Sequence, residues 1–474
     1  MTTTTAVPAP TGRVGYRGRE LALLLFAVVL ATGALAAVVL AHDAKITATV
    51  GWYGLGFGAL WGVAHLAVRR YAPAADSLLL PLVAALNGIG LVMIYRLDLA
   101  GADRAQHLGR AAPAGLAPVQ LRWSALAIVV FVGVLLLVRD HRSLSRYTYT
   151  AGLLGLVFLM LPAVPGIGAT INGARLWLRL GPFSFQPSEI AKIVLMVFFA
   201  GYLVRKREVL SVVTRSFLGL PLPRARDLGP VLIAWLASLA VLVFERDLGS
   251  SLLFFGMFLV VLYVATERAS WLVIGLGLFT AGAYASYQLF GHVRERVDVW
   301  LHAFRGANPT NDSYQLVQGL FGFATGGLTG TGLGRGRPDI VPFARTDFIM
   351  ASIGEELGLV GVMAVLVMYG LIVMRGLRAA VGVRDPFGKL LATGLAFSLA
   401  LQVFVIVGGV MRLIPLTGVT LPFVSFGGSS IVANAGLVAL LLRISDAGRR
   451  PPTRSAPLFD PAAVAESPTE VVRL

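Results

Sequence analysis

About a dozen stretches of this chain run for roughly twenty residues with almost no charge, the length a helix needs to cross a bilayer. They fall near 20–41, 50–68, 77–95, 123–138, 146–164, 188–204, 228–244, 248–266, 270–290, 356–374, 388–411 and 427–443. In hydrocarbon a backbone must satisfy its own hydrogen bonds, so runs of this length predict helices. The expected fold is therefore all-α: a polytopic membrane protein of about twelve helices. Composition excludes a soluble domain of this size: 57% of the 474 residues are hydrophobic and 14% charged, with a mean hydropathy of +0.79. With no cysteine, disulfide and thiolate chemistry are excluded.

Lys and Arg in the short connections set the orientation. With the N-terminus (1–19) inside, the cytoplasm receives Arg69 and Arg70, then Arg139, Arg142 and Arg146, then Arg205, Lys206 and Arg207. It also receives Arg375, Arg378 and Arg384, and the arginines that open the tail. Leu21 to Leu40 is longer than a signal-peptide core and reads as a retained helix. The tail, 446–474, is rich in Pro, Ser and charge and is expected to be disordered. The net charge of +16 suits anionic lipid headgroups better than nucleic acid, since no arginine-rich soluble domain exists.

That orientation puts the unusual segments on the outer face: 165–187, the tight turn at Glu245–Asp247, a long loop 291–347, and Arg412–Phe423. The loop carries Arg294, Arg296, Arg305, Arg335, Arg337 and Arg345, a cationic surface for an anionic substrate.

Ionisable groups in or beside a membrane are expensive, and each has two readings. Asp247 either caps the helix that begins at Leu248 or is a carboxylate available as a base or metal ligand. Lys192, three residues after Glu189, either snorkels outward from a helix start opened by Pro187 or marks a substrate path. Asp347, Glu355 and Glu356 approach or enter the tenth helix, and helix-start electrostatics explains two consecutive glutamates poorly. The glycine-rich Thr325–Asp339 lacks the phosphate-loop pattern and reads as backbone packed on backbone. His65 and Asn87 read as internally satisfied polar groups. There is no His and Cys cluster for zinc and no Ser, His and Asp set. On residues alone these alternatives stay open.

Five segments in order, NGARLWLRLGPFSFQPSEIAK, ERDLGSSLLFFGMFLVVLYVA, SYQLVQGLFGFATGGLTGTGLG, TDFIMASIGEELGLVG and RLIPLTGVTLPFVSFGGSSIVAN, resemble the SEDS family of RodA, FtsW and SpoVE. The resemblance runs from about 76 to 445 and implies a ten-helix glycosyltransferase core preceded by two extra helices at 20–70. It is nearest the RodA branch of high-GC Gram-positive bacteria. It implies a plasma-membrane enzyme that polymerises lipid II outside the cell into β-1,4-linked glycan for elongation and shape. The competing readings are a lipid II flippase, a non-catalytic scaffold and an FtsW-type division polymerase. A class B penicillin-binding protein is the implied partner and a divalent cation, Mg or Mn, the implied cofactor. The family's essential aspartate falls on Asp247, with Arg246 where the family has proline. Lys192, Glu189, Gln186, Trp177, Arg345, Arg412 and Ser429 become candidate substrate contacts, and Glu355 and Glu356 candidate metal ligands.

Overall fold

The computed structural model describes residues 13–164, 166–171, 174–180, 183–210, 215–217, 220–222, 229, 232–233, 236–237, 240, 247–305 and 310–450. The helices are α1 (Arg13–Asp43), α2 (Ala48–Tyr71), α3 (Leu79–His107), α4 (Ala117–Leu137), α5 (Thr148–Met160), α6 (Pro187–Leu210) and α7 (Leu248–Thr266). They continue as α8 (Ala269–Leu289), α9 (Gly291–Leu301), α10 (Tyr314–Gly326), α11 (Ile349–Gly382), α12 (Pro386–Val410) and α13 (Gly428–Arg449). Ten helical segments among the described residues are long and apolar enough to span a membrane. The expected count of twelve differs at two places. The span at 50–68 is a helix, α2, but is not among the ten. The expected span at 228–244 lies largely outside the described residues.

Helix starts follow local chemistry. Pro187, Pro386 and Pro118 sit in the first turns of α6, α12 and α4, where a missing N–H leaves no bond unmade. The Asp385 carboxylate caps α12 by accepting from the Gly388 N–H at 2.6 Å. At the centre lies α13, buried along nearly all its length and packed against α4, α6, α11 and α12. The seam between α5 and α6 is narrow because a side-chain carbon on Gly152, Gly155 or Gly201 would overlap Phe198, Leu195 or Thr148. His65 Nδ1 meets Glu20 at 2.7 Å, and Asn87 donates to the Phe423 carbonyl at 3.3 Å, so both find partners inside the protein.

Two expected loops have regular structure. Three strands, β1 (Gly168–Ile171), β2 (Ala174–Leu180) and β3 (Phe183–Phe185), form an antiparallel sheet in that order. The alternation in ARLWLRL is the period-two signal for it. The 291–347 loop contains α9 and α10. At the chain ends, Arg13 to Arg19 already belong to α1, and α13 carries through Ser445 and Asp446. Those two residues are buried, where the Ser445 hydroxyl accepts from Asp76 N and the Asp446 carboxylate from Ala74 N.

The tenth expected span begins earlier than 356 and is broken. Gly358 has φ +65° and ψ −168°, so Ile349–Leu357 forms a short segment distinct from the rest of α11. The glycine-rich stretch fills that break: Thr331 N and Gly332 N donate to the Glu355 and Glu356 carbonyls, and Leu359 N and Val360 N donate to Gly327 and Leu328. A Cβ on Gly358 would lie 2.3 Å from Gly330 N. Gly358→Ala is therefore expected to destabilise the protein by more than about 1 kcal/mol. A lower thermal midpoint for the purified variant checks this; an unchanged midpoint contradicts it.

Candidate active site

Asp247 is itself extended (φ −108°, ψ 95°) and sits directly ahead of α7. Its carboxylate accepts from the Ser250 backbone N–H at 3.0 Å and from the Ser250 hydroxyl. The cap reading is thus correct, and a cap of this kind contributes about 0.5–2 kcal/mol. Unlike an ordinary surface cap it is only 4% exposed. Burial pushes its carboxyl above the usual carboxylate range, against the Ser250 bonds and the positive charge of Arg296, which pull it back. Asp347, just ahead of α11, is also pushed up by burial, with its Thr346 bond and Arg296 acting against the shift. Glu245 and Arg246 lie outside the described residues.

The segment Leu416–Thr420 is packed against this turn. A Cβ on Gly249 would meet the Val419 side chain at 2.1 Å and the Thr417 Cβ at 3.2 Å. Arg296, from α9, ties the same segment by donating to the Leu416 carbonyl at 2.8 Å. One guanidinium therefore acts on both carboxylates and fixes the Leu416–Thr420 segment. Arg296→Ala is expected to lower the activity of this site at least about tenfold, with Arg296→Lys recovering part by restoring the charge but not the fork. Initial-rate assays on folded variants check this; a wild-type rate for Arg296→Ala contradicts it.

Lys192 does not snorkel. Its Nζ donates to Glu189 Oε2 at 2.6 Å, Gln402 Oε1 at 2.8 Å and Asn434 Oδ1 at 3.2 Å, which uses all three ammonium protons. Lys192 and Glu189 are each 5% exposed. Gln402 Nε2 donates in turn to the Thr420 carbonyl at 3.0 Å, and Asn434 Nδ2 to the Ser430 carbonyl at 2.8 Å. The ammonium is thereby joined, through Gln402, to the segment packed on Gly249 beside Asp247. Gln186 N donates to the Ser429 hydroxyl at 2.9 Å, seating the start of α6 on the start of α13. Trp177 stands on β2 opposite Ala169, half-buried, and no hydrogen bond joins it to this network among the described residues.

The other predicted residues occupy separate places. Arg345 Nη2 donates to the Leu97 carbonyl at 3.0 Å, lies 3.5 Å from Asp98, and with Arg104 lines a 520 Å³ cavity under Pro338–Thr346. Arg412, at φ +59°, donates to the Trp300 and Leu301 carbonyls at 2.7 and 2.9 Å and lies over the Phe304 ring. It clamps α9, the helix that carries Arg296.

Glu355 and Glu356 do not fit a metal site. Glu356 Oε1 takes Arg96 Nε at 2.8 Å and Oε2 takes Gly334 N at 3.0 Å, while Glu355 Oε1 takes Arg337 N at 2.6 Å. Among the described residues no three His, Asp or Glu side chains gather as a metal would need. The pair braces the glycine-rich stretch instead. Arg296, Gln402, Asn434 and Arg96 are the site and support residues that the sequence did not single out. For Gln402 and Asn434 the available signal was a lone amide in an apolar helix, expensive in lipid unless paired.

Residues 77–450 match the family described as cell cycle protein, FtsW, RodA and SpoVE. The chain is 52% identical over 445 residues to the peptidoglycan glycosyltransferase RodA of Mycobacterium tuberculosis, covering 94% of this chain and 92% of that one. It is 49% identical over 470 residues to the RodA of Mycobacterium leprae, covering 99% and 97%. Among solved structures, a chain of a peptidoglycan synthase complex described as coordinating polymerization and crosslinking matches with TM-score 0.60 and 29% identity, covering 78% of this chain and 98% of that chain. The rod shape determining protein RodA of Thermus thermophilus matches with TM-score 0.52 and 27% identity, covering 78% and 97%.

Proposed function

Because this chain belongs to the FtsW, RodA and SpoVE family and is a multi-pass membrane protein, we propose that it polymerises lipid II, with Asp247 as the general base. It is a peptidoglycan glycosyltransferase, as its relatives are named. The observation that carries the assignment of the base is a carboxylate at the start of α7 that is 4% exposed, held by Ser250 and within the field of Arg296.

In the proposed reaction Asp247 takes the proton from the 4-hydroxyl of the acceptor sugar as that oxygen attacks the anomeric carbon of the donor. One displacement with inversion converts an α-linked pyrophosphate into a β-glycoside. The bond from anomeric carbon to phosphate oxygen breaks, and the undecaprenyl pyrophosphate leaves with the bonding pair. Developing charge on that leaving group needs preorganised cations. Arg296 is the cation proposed for this work, whereas Lys192 acts through Gln402 on the Thr420 segment. With so little of Asp247 exposed, the acceptor reaches it only as neighbouring structure gives way, and the Leu416–Thr420 segment packed on Gly249 is proposed to move. A Mg or Mn ion belongs to this reading only as a counter-ion brought by the pyrophosphate, since Glu355 and Glu356 are engaged elsewhere. A class B penicillin-binding protein is the proposed partner that cross-links the product.

The test is polymer formation by purified protein on labelled lipid II in liposomes, with and without chelator and partner. Polymer from wild type and none from Asp247→Ala supports the reading; movement of lipid between leaflets without polymer overturns it. The Asp247 end of the bundle is proposed to face the cell exterior. The absence of native cysteine makes this checkable with exposed single-cysteine probes, Leu413→Cys at that end and Ser143→Cys at the other. An impermeant maleimide on intact cells is expected to label the first and spare the second; the reverse pattern contradicts the orientation.

A further inference from the structure

The end of the bundle opposite Asp247 holds a second cavity, of about 290 Å³, which the reaction does not use. It opens between α6, the start of α12 and the 3₁₀ turn His141–Tyr147. Lys192 and Arg205 lie on the same helix thirteen residues apart, which at 1.5 Å per residue separates this cavity from the Lys192 network by about 20 Å. Its walls include Arg142, Arg205, Ser145, Val204, Pro386 and Phe387.

Charge in this cavity is unevenly satisfied. Its one carboxylate, Asp385, already faces His141 Nε2 at 2.8 Å, Gly388 N at 2.6 Å and Arg142 Nε at 3.2 Å. Among the described residues Arg205 gives Nη2 to the Ser145 carbonyl at 3.1 Å and lies over the Tyr149 ring. Each guanidinium has five N–H donors, so both keep donors for a ligand. Both side chains are exposed, and Arg205 sits in the last turn of a span that ends at Arg207. This is the depth of lipid headgroups, where basic pockets between membrane helices take anionic lipid heads. The apolar walls add what a free phosphate could not use: a surface for glycerol and the first methylenes of an acyl chain.

We propose that this cavity binds the phosphate of an anionic phospholipid, with Arg142 and Arg205 holding the phosphate and Val204 and Phe387 receiving the acyl-glycerol. The site is independent of the glycosyltransferase reading.

Native mass spectrometry of the full chain, released from mixed micelles containing phosphatidylglycerol or phosphatidylcholine, tests it. Wild type is expected to retain one phosphatidylglycerol and no phosphatidylcholine. The double variant Arg142→Gln with Arg205→Gln is expected to hold phosphatidylglycerol at least about tenfold more weakly. Arg207→Gln is the control, because Arg207 lies on the same rim but faces Glu267 at 3.1 Å, and its retention is expected to match wild type. Phosphatidylglycerol is also expected to raise the thermal midpoint of wild type and not of the double variant, which reports binding even if the variant is less stable. Equal retention by the double variant, or an equal loss in Arg207→Gln, overturns the proposal. So does displacement of the lipid by millimolar inorganic phosphate, which would make this a free-phosphate site, or by an acidic peptide, which would make it a protein-docking site.

Discussion

Asp247→Asn is expected to slow polymer formation by about 10²- to 10⁴-fold, the usual contribution of a positioned general base. The protein should stay folded, because an asparagine oxygen can still accept from Ser250 N at the start of α7. Asp247→Ala removes the base and the cap together, so it should lose the same activity and in addition about 0.5–2 kcal/mol of stability. Comparing the two separates chemistry from helix capping. Equal and large drops in thermal midpoint for both variants would assign Asp247 to structure alone.

Lys192→Met is the second large effect. It leaves Glu189 buried without its partner, and leaves Gln402 and Asn434 each with an unfilled acceptor. Removing one partner from a buried ion pair costs about 3–5 kcal/mol, enough to threaten folding outright. Adding Glu189→Gln removes the stranded charge, so the double variant should regain most of the lost midpoint, a coupling expected only between residues in contact. Activity is the second readout. A double variant that refolds and still polymerises poorly shows that the ammonium, through Gln402, positions the Leu416–Thr420 segment beside Asp247. A double variant as active as wild type would reduce the pair to a packing device.

The extent to which the sequence could be read followed the physics of each region. Membrane helices were legible because a twenty-residue apolar run has one stable fate in lipid. The sheet at 168–185 was missed because short strands beside turns give a weak period-two signal amid a strong hydropathy signal. Gly358 hid the break in α11: hydropathy runs straight through it, and only backbone angles expose it. Within the site, Asp247 and the Lys192–Glu189 pair stood out as charges where charge is costly. Arg296 did not, since it is one arginine among several in a long segment and only the tertiary fold brings it to Asp247. Arg412 stood out as a cation in a Pro-rich outer segment, but its partners, the Trp300 and Leu301 carbonyls, are brought to it only by the fold. Glu355 and Glu356 were recognised as unusual, but their partners, Arg96, Gly334 and Arg337, are distant in sequence or hidden in a glycine run.

The most direct test of a buried carboxylate acting as base is the pH dependence of kcat/KM for lipid II polymerisation. Burial raises the Asp247 pKa, so the base becomes protonated, and the rate falls, at a higher pH than an ordinary aspartate would give. An acid limb above the usual carboxylate range in wild type, absent from the residual activity of Asp247→Asn, is the predicted result. The same limb in both proteins would contradict the account, because the titrating group would then be something other than Asp247.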